Sequence, residues 1–321
     1  MRGYGLAFLA LFCTSSAQAF EMGMPVDCAM GMDCTVQNYV DHDGGDFACG
    51  PLTYPGHKGT DIRAVDETVM RRGVDVLATA DGTVLGMRDG MADRRNRESD
   101  GVEGVECGNA VRLAHPGGWV TQYCHMKQGS VLVRNGEAVS KGQKLGEIGM
   151  SGAAAFPHVH VVVEKDGETL DPYTGGAKGE TCGEDILQPL WDAEAAQKLA
   201  YVPTGLLNAG FTTDEPAPEE FQQGKHRMAR ISGQPPLLVF WADMYGLRKD
   251  DDVYIALRDP QETVMAESRQ RIPRNRATQS YYVGKANREQ AWPMGEYSGI
   301  LRVERNGETV LEREFTVGVE P

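Results

Sequence analysis

The chain has 321 residues, 41% of them apolar and 24% charged, a globular balance with room for two ordinary domains. Its formal net charge of -14 argues against nonspecific binding to nucleic acid and against attraction to anionic lipid surfaces. The first residues read as a targeting segment. Arg2 is basic, residues 6–13 are apolar but too few to span a bilayer, and Ala17-Gln18-Ala19 has the small-x-small form of a cleavage site. Residues 1–19 are therefore expected to be a signal peptide, and the product to be exported, periplasmic in first place and extracellular as the alternative. The bulky Phe12 before Cys13 speaks against a lipid-anchored cysteine. No later segment is apolar enough for a membrane helix.

Signal removal takes Cys13 from the seven cysteines and leaves Cys28, Cys34, Cys49, Cys107, Cys124 and Cys182. An even number in an exported chain points to disulfides. Sequence does not decide their pairing. One pair is suggested by local structure: residues 110–113 and 119–123 read as strands joined at Pro116-Gly117-Gly118, which puts Cys107 and Cys124 at the open end of a hairpin.

Residues 20–56 are rich in Gly, Met, Asp and Cys and read as an irregular, disulfide-rich N-terminal segment. Asp41-His42-Asp43 within it reads as a polar turn before Gly44-Gly45, with metal binding as the competing reading. From residue 57 to 183 short strands are divided by Gly and Asp. Residues 74–78 and 82–86 are two of them, with Asp81-Gly82 as a turn signal, and Asp166-Gly167 is expected to turn a later strand back. The pattern is antiparallel β. The charged stretch 88–106, with Arg88, Arg94, Arg95 and Arg97, reads as a solvated surface loop, with a grip on substrate carboxylates as the alternative.

Residues 184–220 are expected to be a helical connector and linker. Ile186, Leu187, Leu190, Trp191, Ala195 and Leu199 share a helical face, Asp192 is a candidate cap, and 213–220 is acidic and Pro-containing. Regularly spaced strands return over 221–321, with Asn306-Gly307 as a two-residue hairpin turn, and read as a β-sandwich-like domain. It holds His226 and no cysteine and no catalytic constellation, so it is expected either to bind a protein partner or to position the central domain. The fold class is mainly β: an antiparallel β domain over 57–183, a short helical connector and a C-terminal sandwich-like domain.

Five of the seven histidines fall between residues 57 and 160. His57 and Asp61 have H-x-x-x-D spacing, and His158-Val159-His160 puts two imidazoles on one face of a strand. Two imidazoles and one carboxylate leave the fourth position of tetrahedral zinc open, the pattern of a catalytic rather than a structural site. Peptide hydrolysis then also needs a proton acceptor and oxyanion donors, for which His125 and a member of the 158/160 pair remain. Strand geometry alone does not decide which member ligates. His115 and His226 read as structural histidines.

The central region resembles the M23 zinc metallopeptidases, the lysostaphin-like or LytM-type peptidoglycan endopeptidases. The matching pieces are His57-Lys58-Gly59-Thr60-Asp61, Gly108-Asn109-Ala110-Val111, Tyr123-Cys124-His125-Met126 and Pro157-His158-Val159-His160. The resemblance implies His57, Asp61 and His160 as ligands of one Zn2+ per chain, and His125 and His158 as the catalytic histidines that activate water and stabilise the oxyanion. It implies peptidoglycan peptide stems as substrate. Val161-Val162 after the pair and Phe156 before it depart from the common pattern and alter the cleft walls. The competing readings are a non-catalytic regulator of another cell-wall hydrolase, against which the intact ligand set argues, and a zinc protease of exported proteins. Asn38 or Asp41 is a candidate to close the fourth zinc position in a latent form.

Overall fold

Alternation of β-branched residues decides which side chains enter a core, because successive strand residues point to opposite faces. The structure, a computed structural model, describes residues 19–96, 99–179, 181–183, 188–287 and 292–321. The expected signal peptide, Arg97, Ile186 and Leu187 lie outside the described residues, apart from Ala19.

In chain order the elements are β1 (Val26–Asp27), β2 (Cys34–Asn38), β3 (Thr60–Ala64), α1 (Glu67–Arg72), β4 (Asp75–Leu77), β5 (Gly82–Arg88), β6 (Asn109–His115), a single 3-10 turn (Pro116–Gly118), β7 (Trp119–Met126), β8 (Ala138–Val139), β9 (Lys144–Glu147), β10 (His158–Lys165) and β11 (Glu168–Leu170). There follow α2 (Ala193–Lys198), β12 (Gly205–Thr212), α3 (Pro218–Gln222), β13 (Arg230–Ser232), β14 (Leu237–Leu247), β15 (Asp252–Arg258), β16 (Val264–Arg271), β17 (Arg276–Ala286), β18 (Gly295–Arg305) and β19 (Glu308–Glu320).

The central sheet runs β2-β3-β10-β7-β6-β5-β8, with β11 paired to β10, and its pairings are antiparallel. A small sheet β1-β4-β9 packs with it around one core. Val159, Val161 and Val163 of β10 enter that core, so His158, His160 and Val162 project from the other face. Each fully buried valine contributes about 1.5–3 kcal/mol, and this alternation is what holds the histidines in place. Asp81-Gly82 separates β4 from β5, but the two strands lie in different sheets and do not form a hairpin. Asp166-Gly167 does turn β10 back into β11, with both residues at positive φ.

The N-terminal segment, expected to be irregular and disulfide-rich, also contributes two strands to the sheets. β2 is an edge of the central sheet, β1 pairs with β4, and Met22, Val36, Tyr39 and Leu52 are core residues. Its short strands are separated by turns too close together to leave a readable period. The disulfides are Cys28–Cys34, Cys49–Cys182 and Cys107–Cys124; the last is the pair suggested by the hairpin.

A second core lies between the sheets β12-β14-β17 and β13-β19-β18-β15-β16. Asp192 caps α2, its Oδ1 accepting from the Ala195 amide at 2.8 Å, but the helix covers only Ala193–Lys198. β12 arises inside the stretch assigned to the connector and pairs with β14, so the C-terminal sheets begin earlier than residue 221. Gly205, Asn208 and Gly210 dilute its strand signal. β16 carries a weak strand signal. It is an edge strand paired only with β15, and its sequence VMAESRQR is largely polar because one side meets solvent. Asn306 and Gly307 have φ of 53° and 84° and join β18 to β19 as expected of a type I′ turn.

β14 is buried on both faces. Phe240, Ala242 and Met244 enter the second core, while Tyr245 belongs to the first and its hydroxyl accepts from Thr35 Oγ1 at 3.1 Å. Asp66, the N-cap of α1, also crosses between the halves, accepting from Asn208 Nδ2 at 2.7 Å and from Arg227 at 3.2 Å.

Candidate metal centre

The pairing of β2, β3 and β10 sets Asn38 opposite Asp61 and Asp61 opposite His160. Residues directly across a ladder share a face, so these three stand in a row on the side away from the valine core. His57 arrives from the loop before β3, and Gly59 makes its approach feasible. A Cβ there would lie 2.5 Å from the Val161 carbonyl oxygen and 2.9 Å from His160 Cε1.

Three atoms close on one another. His57 Nε2 lies 3.0 Å from Asp61 Oδ1 and 3.1 Å from His160 Nδ1, and His160 Nδ1 lies 2.7 Å from Asp61 Oδ1. His158 Nε2 stands farther off, 3.7 Å from the same oxygen. The other side of each group is already committed. His57 Nδ1 donates to the Tyr39 carbonyl at 2.7 Å, and Asp61 Oδ2 accepts from Asn38 Nδ2 at 2.8 Å.

This donor set fits a metal cation. A carbonyl only accepts, so His57 Nδ1 carries a proton, and the neutral ring turns the Nε2 lone pair toward a carboxylate that also only accepts. Without a cation, Nε2 needs a second proton, and with His160 two N–H groups 3.1 Å apart crowd one oxygen. The pKa values express this conflict. Burial opposes charge on His57, but Asp61 and the hydrogen bonds to Asp61 and Tyr39 outweigh it and raise the pKa. Burial likewise favours neutral Asp61, yet His57, His158 and the hydrogen bonds from His160 and His57 hold its carboxyl well below the usual range. One divalent ion among the three atoms would serve all of them.

His125 and His158 flank the group. His125 Nδ1 donates to the Ser151 carbonyl and His158 Nδ1 to the Phe156 carbonyl, each at 2.8 Å, which leaves both Nε2 atoms free to accept. Their rings lie 4.6 Å apart between centroids. Burial pushes the His125 pKa well down, reinforced by His158 and His160, and burial also lowers that of His158. Both are therefore neutral near pH 7. Phe156, a departure noted in the sequence, packs its ring 4.5 Å from His158 and carries the buried Arg63 guanidinium 4.6 Å above its own centroid.

A groove of about 440 Å³ runs past the centre, lined among others by Tyr54, Lys58, Glu106, His125, His160 and Val162. Among the described residues no arginine of the 88–106 stretch lines it; Arg95 instead binds Glu67 at 2.8 Å and Gln222 at 2.6 Å. A larger depression of about 680 Å³ on β15, β16 and β18 contains no histidine among its lining residues.

The remaining candidates fall elsewhere. Asn38 is committed to Asp61 Oδ2, and both oxygens of Asp41 accept backbone amides, from Gly44 and Gly56, so neither closes the three-atom group. His42 binds Asp171 at 2.7 Å in a buried pair. His115 bridges Asp81 and Thr121, and His226 bridges Thr212 and Glu220. Sequence reasoning missed the orienting roles of Tyr39 and Ser151, which act through backbone carbonyls and leave no residue-type signal.

An antiparallel β domain thus carries, on the face away from its valine core, a His/Asp/His group that could hold a metal ion, with two neutral histidines beside it. Residues 55–172 match the model of peptidase family M23. The chain is 30% identical over 104 residues to the peptidoglycan DD-endopeptidase ShyA of Vibrio cholerae, covering 32% of this chain and 19% of the relative. It is 28% identical over 127 residues to an uncharacterized metalloprotease of Haemophilus influenzae, covering 40% and 22%. The chain thus spans about a fifth of the length of these curated relatives. Among solved structures, the catalytic domain of lysostaphin from Staphylococcus simulans matches at 20% identity with a TM-score of 0.28, covering 42% of this chain and 85% of that one.

Proposed function

We propose that this chain is an exported zinc endopeptidase that hydrolyses peptide cross-links of peptidoglycan. The observation that carries the reading is the convergence of His57 Nε2, Asp61 Oδ1 and His160 Nδ1, all within 4.8 Å of one another, with the His57 tautomer fixed by Tyr39. The match of residues 55–172 to peptidase family M23 and a relative named as a peptidoglycan DD-endopeptidase support the substrate class. The disulfides support an oxidising compartment. Among the described residues no helix is long and apolar enough to cross a membrane.

His57, Asp61 and His160 would hold the ion. Zinc supplies Lewis acidity, polarising a peptide carbonyl and making water acidic enough to attack near neutral pH. His125 and His158 divide the proton work. Each donates an Nδ1–H hydrogen bond to a carbonyl, so each Nε2 can take a proton from the attacking water and return it to the leaving amine. The protonated form donates from Nε2 and steadies the developing oxyanion. The groove past His125 and His160 accepts an extended peptide.

Purified mature protein is expected to carry about one zinc per chain and to release peptides from purified peptidoglycan, with activity lost on chelation and restored by zinc. Absence of metal after mild preparation would overturn the proposal. Release of peptides from casein but none from cell wall would replace the substrate with exported proteins. Asn38→Ala removes the donor that orients Asp61 and is expected to weaken zinc binding ~10–100-fold, measured by competition with a chromophoric chelator. Unchanged affinity would show that Asn38 does not orient the ligand.

A further inference from the structure

β7 carries an extra residue beside the candidate centre. Against β6, Met126 pairs with Asn109 and Tyr123 with Val111, so Cys124 and His125 together face Ala110. His125 takes up the insertion with a φ of 61°, a conformation costly for a residue with a Cβ. Bulges re-aim side chains, and a one-residue slip of a strand reverses its faces. Whatever holds this bulge therefore decides where His125 points.

The tether is the Cys107–Cys124 disulfide. It ties the first bulge residue to the loop entering β6. The His125 amide donates to the Cys107 carbonyl at 2.8 Å, outside the strand ladder, and the ring donates to Ser151. Ser151 is locked in turn: its hydroxyl accepts from the Asn109 amide at 2.9 Å and donates to the Met126 carbonyl at 2.7 Å. Gly108 permits this approach, since a Cβ there would meet Ser151 backbone atoms at 2.5 Å. Cys107, Cys124 and His125 line the same groove.

We propose that the Cys107–Cys124 disulfide is a positioning element of the hydrolytic site, locking the bulge that aims His125 into the groove, so that hydrolysis requires the oxidised form. This rests on the peptidase reading. A phosphine reductant such as tris(2-carboxyethyl)phosphine reverses it in a balanced step. Phosphorus attacks one sulfur, the S–S bond breaks, and the departing thiolate takes a proton. Water then cleaves the P–S bond to give the second thiol and the phosphine oxide, so phosphorus loses the two electrons that the sulfurs gain.

The test compares full-length mature wild type with Cys107→Ser/Cys124→Ser and, as a control, Cys28→Ser/Cys34→Ser. Hydrolysis of purified peptidoglycan fragments and zinc content are read together. In the site variant kcat is expected to fall ~10²-fold, the scale for a catalytic group displaced by about 1 Å, with KM and zinc content held. The control keeps its kcat. Reduced wild type loses kcat in the same way and regains it on reoxidation with oxidised glutathione. A site variant with wild-type kcat, or one that loses zinc together with activity, overturns the positioning role. Wild type that holds no zinc and cuts nothing overturns the peptidase reading itself.

Discussion

Replacing His160 with alanine is expected to reduce zinc to background and to abolish hydrolysis, while His125→Ala keeps about one zinc per chain and loses ~10²–10⁴-fold in kcat. The difference follows from position. His160 Nδ1 is one of three atoms within hydrogen-bond distance of one another, and its loss leaves His57 and Asp61 alone. His125 lies on the neighbouring strand β7, with its ring centroid 6.1 Å from that of His160 and 4.6 Å from that of His158. Its Nδ1 is spent on Ser151 and its Nε2 is the free atom. Metal analysis of both variants, with peptidoglycan digestion, checks the assignment. Loss of zinc from the His125 variant would reverse the two roles.

Trp241→Ala is expected to lower the unfolding free energy of the C-terminal sheets by about 3–5 kcal/mol, the cost of emptying a large aromatic site. Trp241 of β14 is fully buried and stacks on Phe221 of α3 with centroids 4.1 Å apart. Its indole N–H donates to the His226 carbonyl at 2.6 Å. The substitution removes the stack and leaves that carbonyl without its donor. Urea unfolding followed by tryptophan fluorescence and circular dichroism measures the loss. A change below about 1 kcal/mol would show that α3 and the His226 turn repack around the gap. Zinc content is expected to stay at the wild-type level, because no residue of the three-atom group contacts Trp241.

The histidine strand was readable from sequence because period-2 alternation is a local property. Val159, Val161 and Val163 enter the core and leave His158 and His160 on the other face. The hairpin of β6 and β7, the Cys107–Cys124 pairing and the Asn306-Gly307 turn were readable for the same reason: each is settled within about twenty residues. The Asp192 cap was readable too, although its helix is shorter than the apolar spacing suggested. β12 and β16 were not, because glycines interrupt one and solvent on one side permits polar residues in the other.

What the sequence determined alone was the set of chemical groups: H-x-x-x-D, the Tyr-x-His element and the H-x-H pair, at spacings that a β domain can bring together. Tertiary structure decided how those groups are held. Asn38 reaches Asp61 through strand pairing, and the Tyr39 and Ser151 carbonyls set the tautomers of His57 and His125. The N-terminal segment supplies Asn38 and the Tyr39 carbonyl to the group. A carbonyl oxygen is the same atom in every residue, so its orienting role depends only on where the backbone runs, and that is fixed by contacts between strands far apart in the chain.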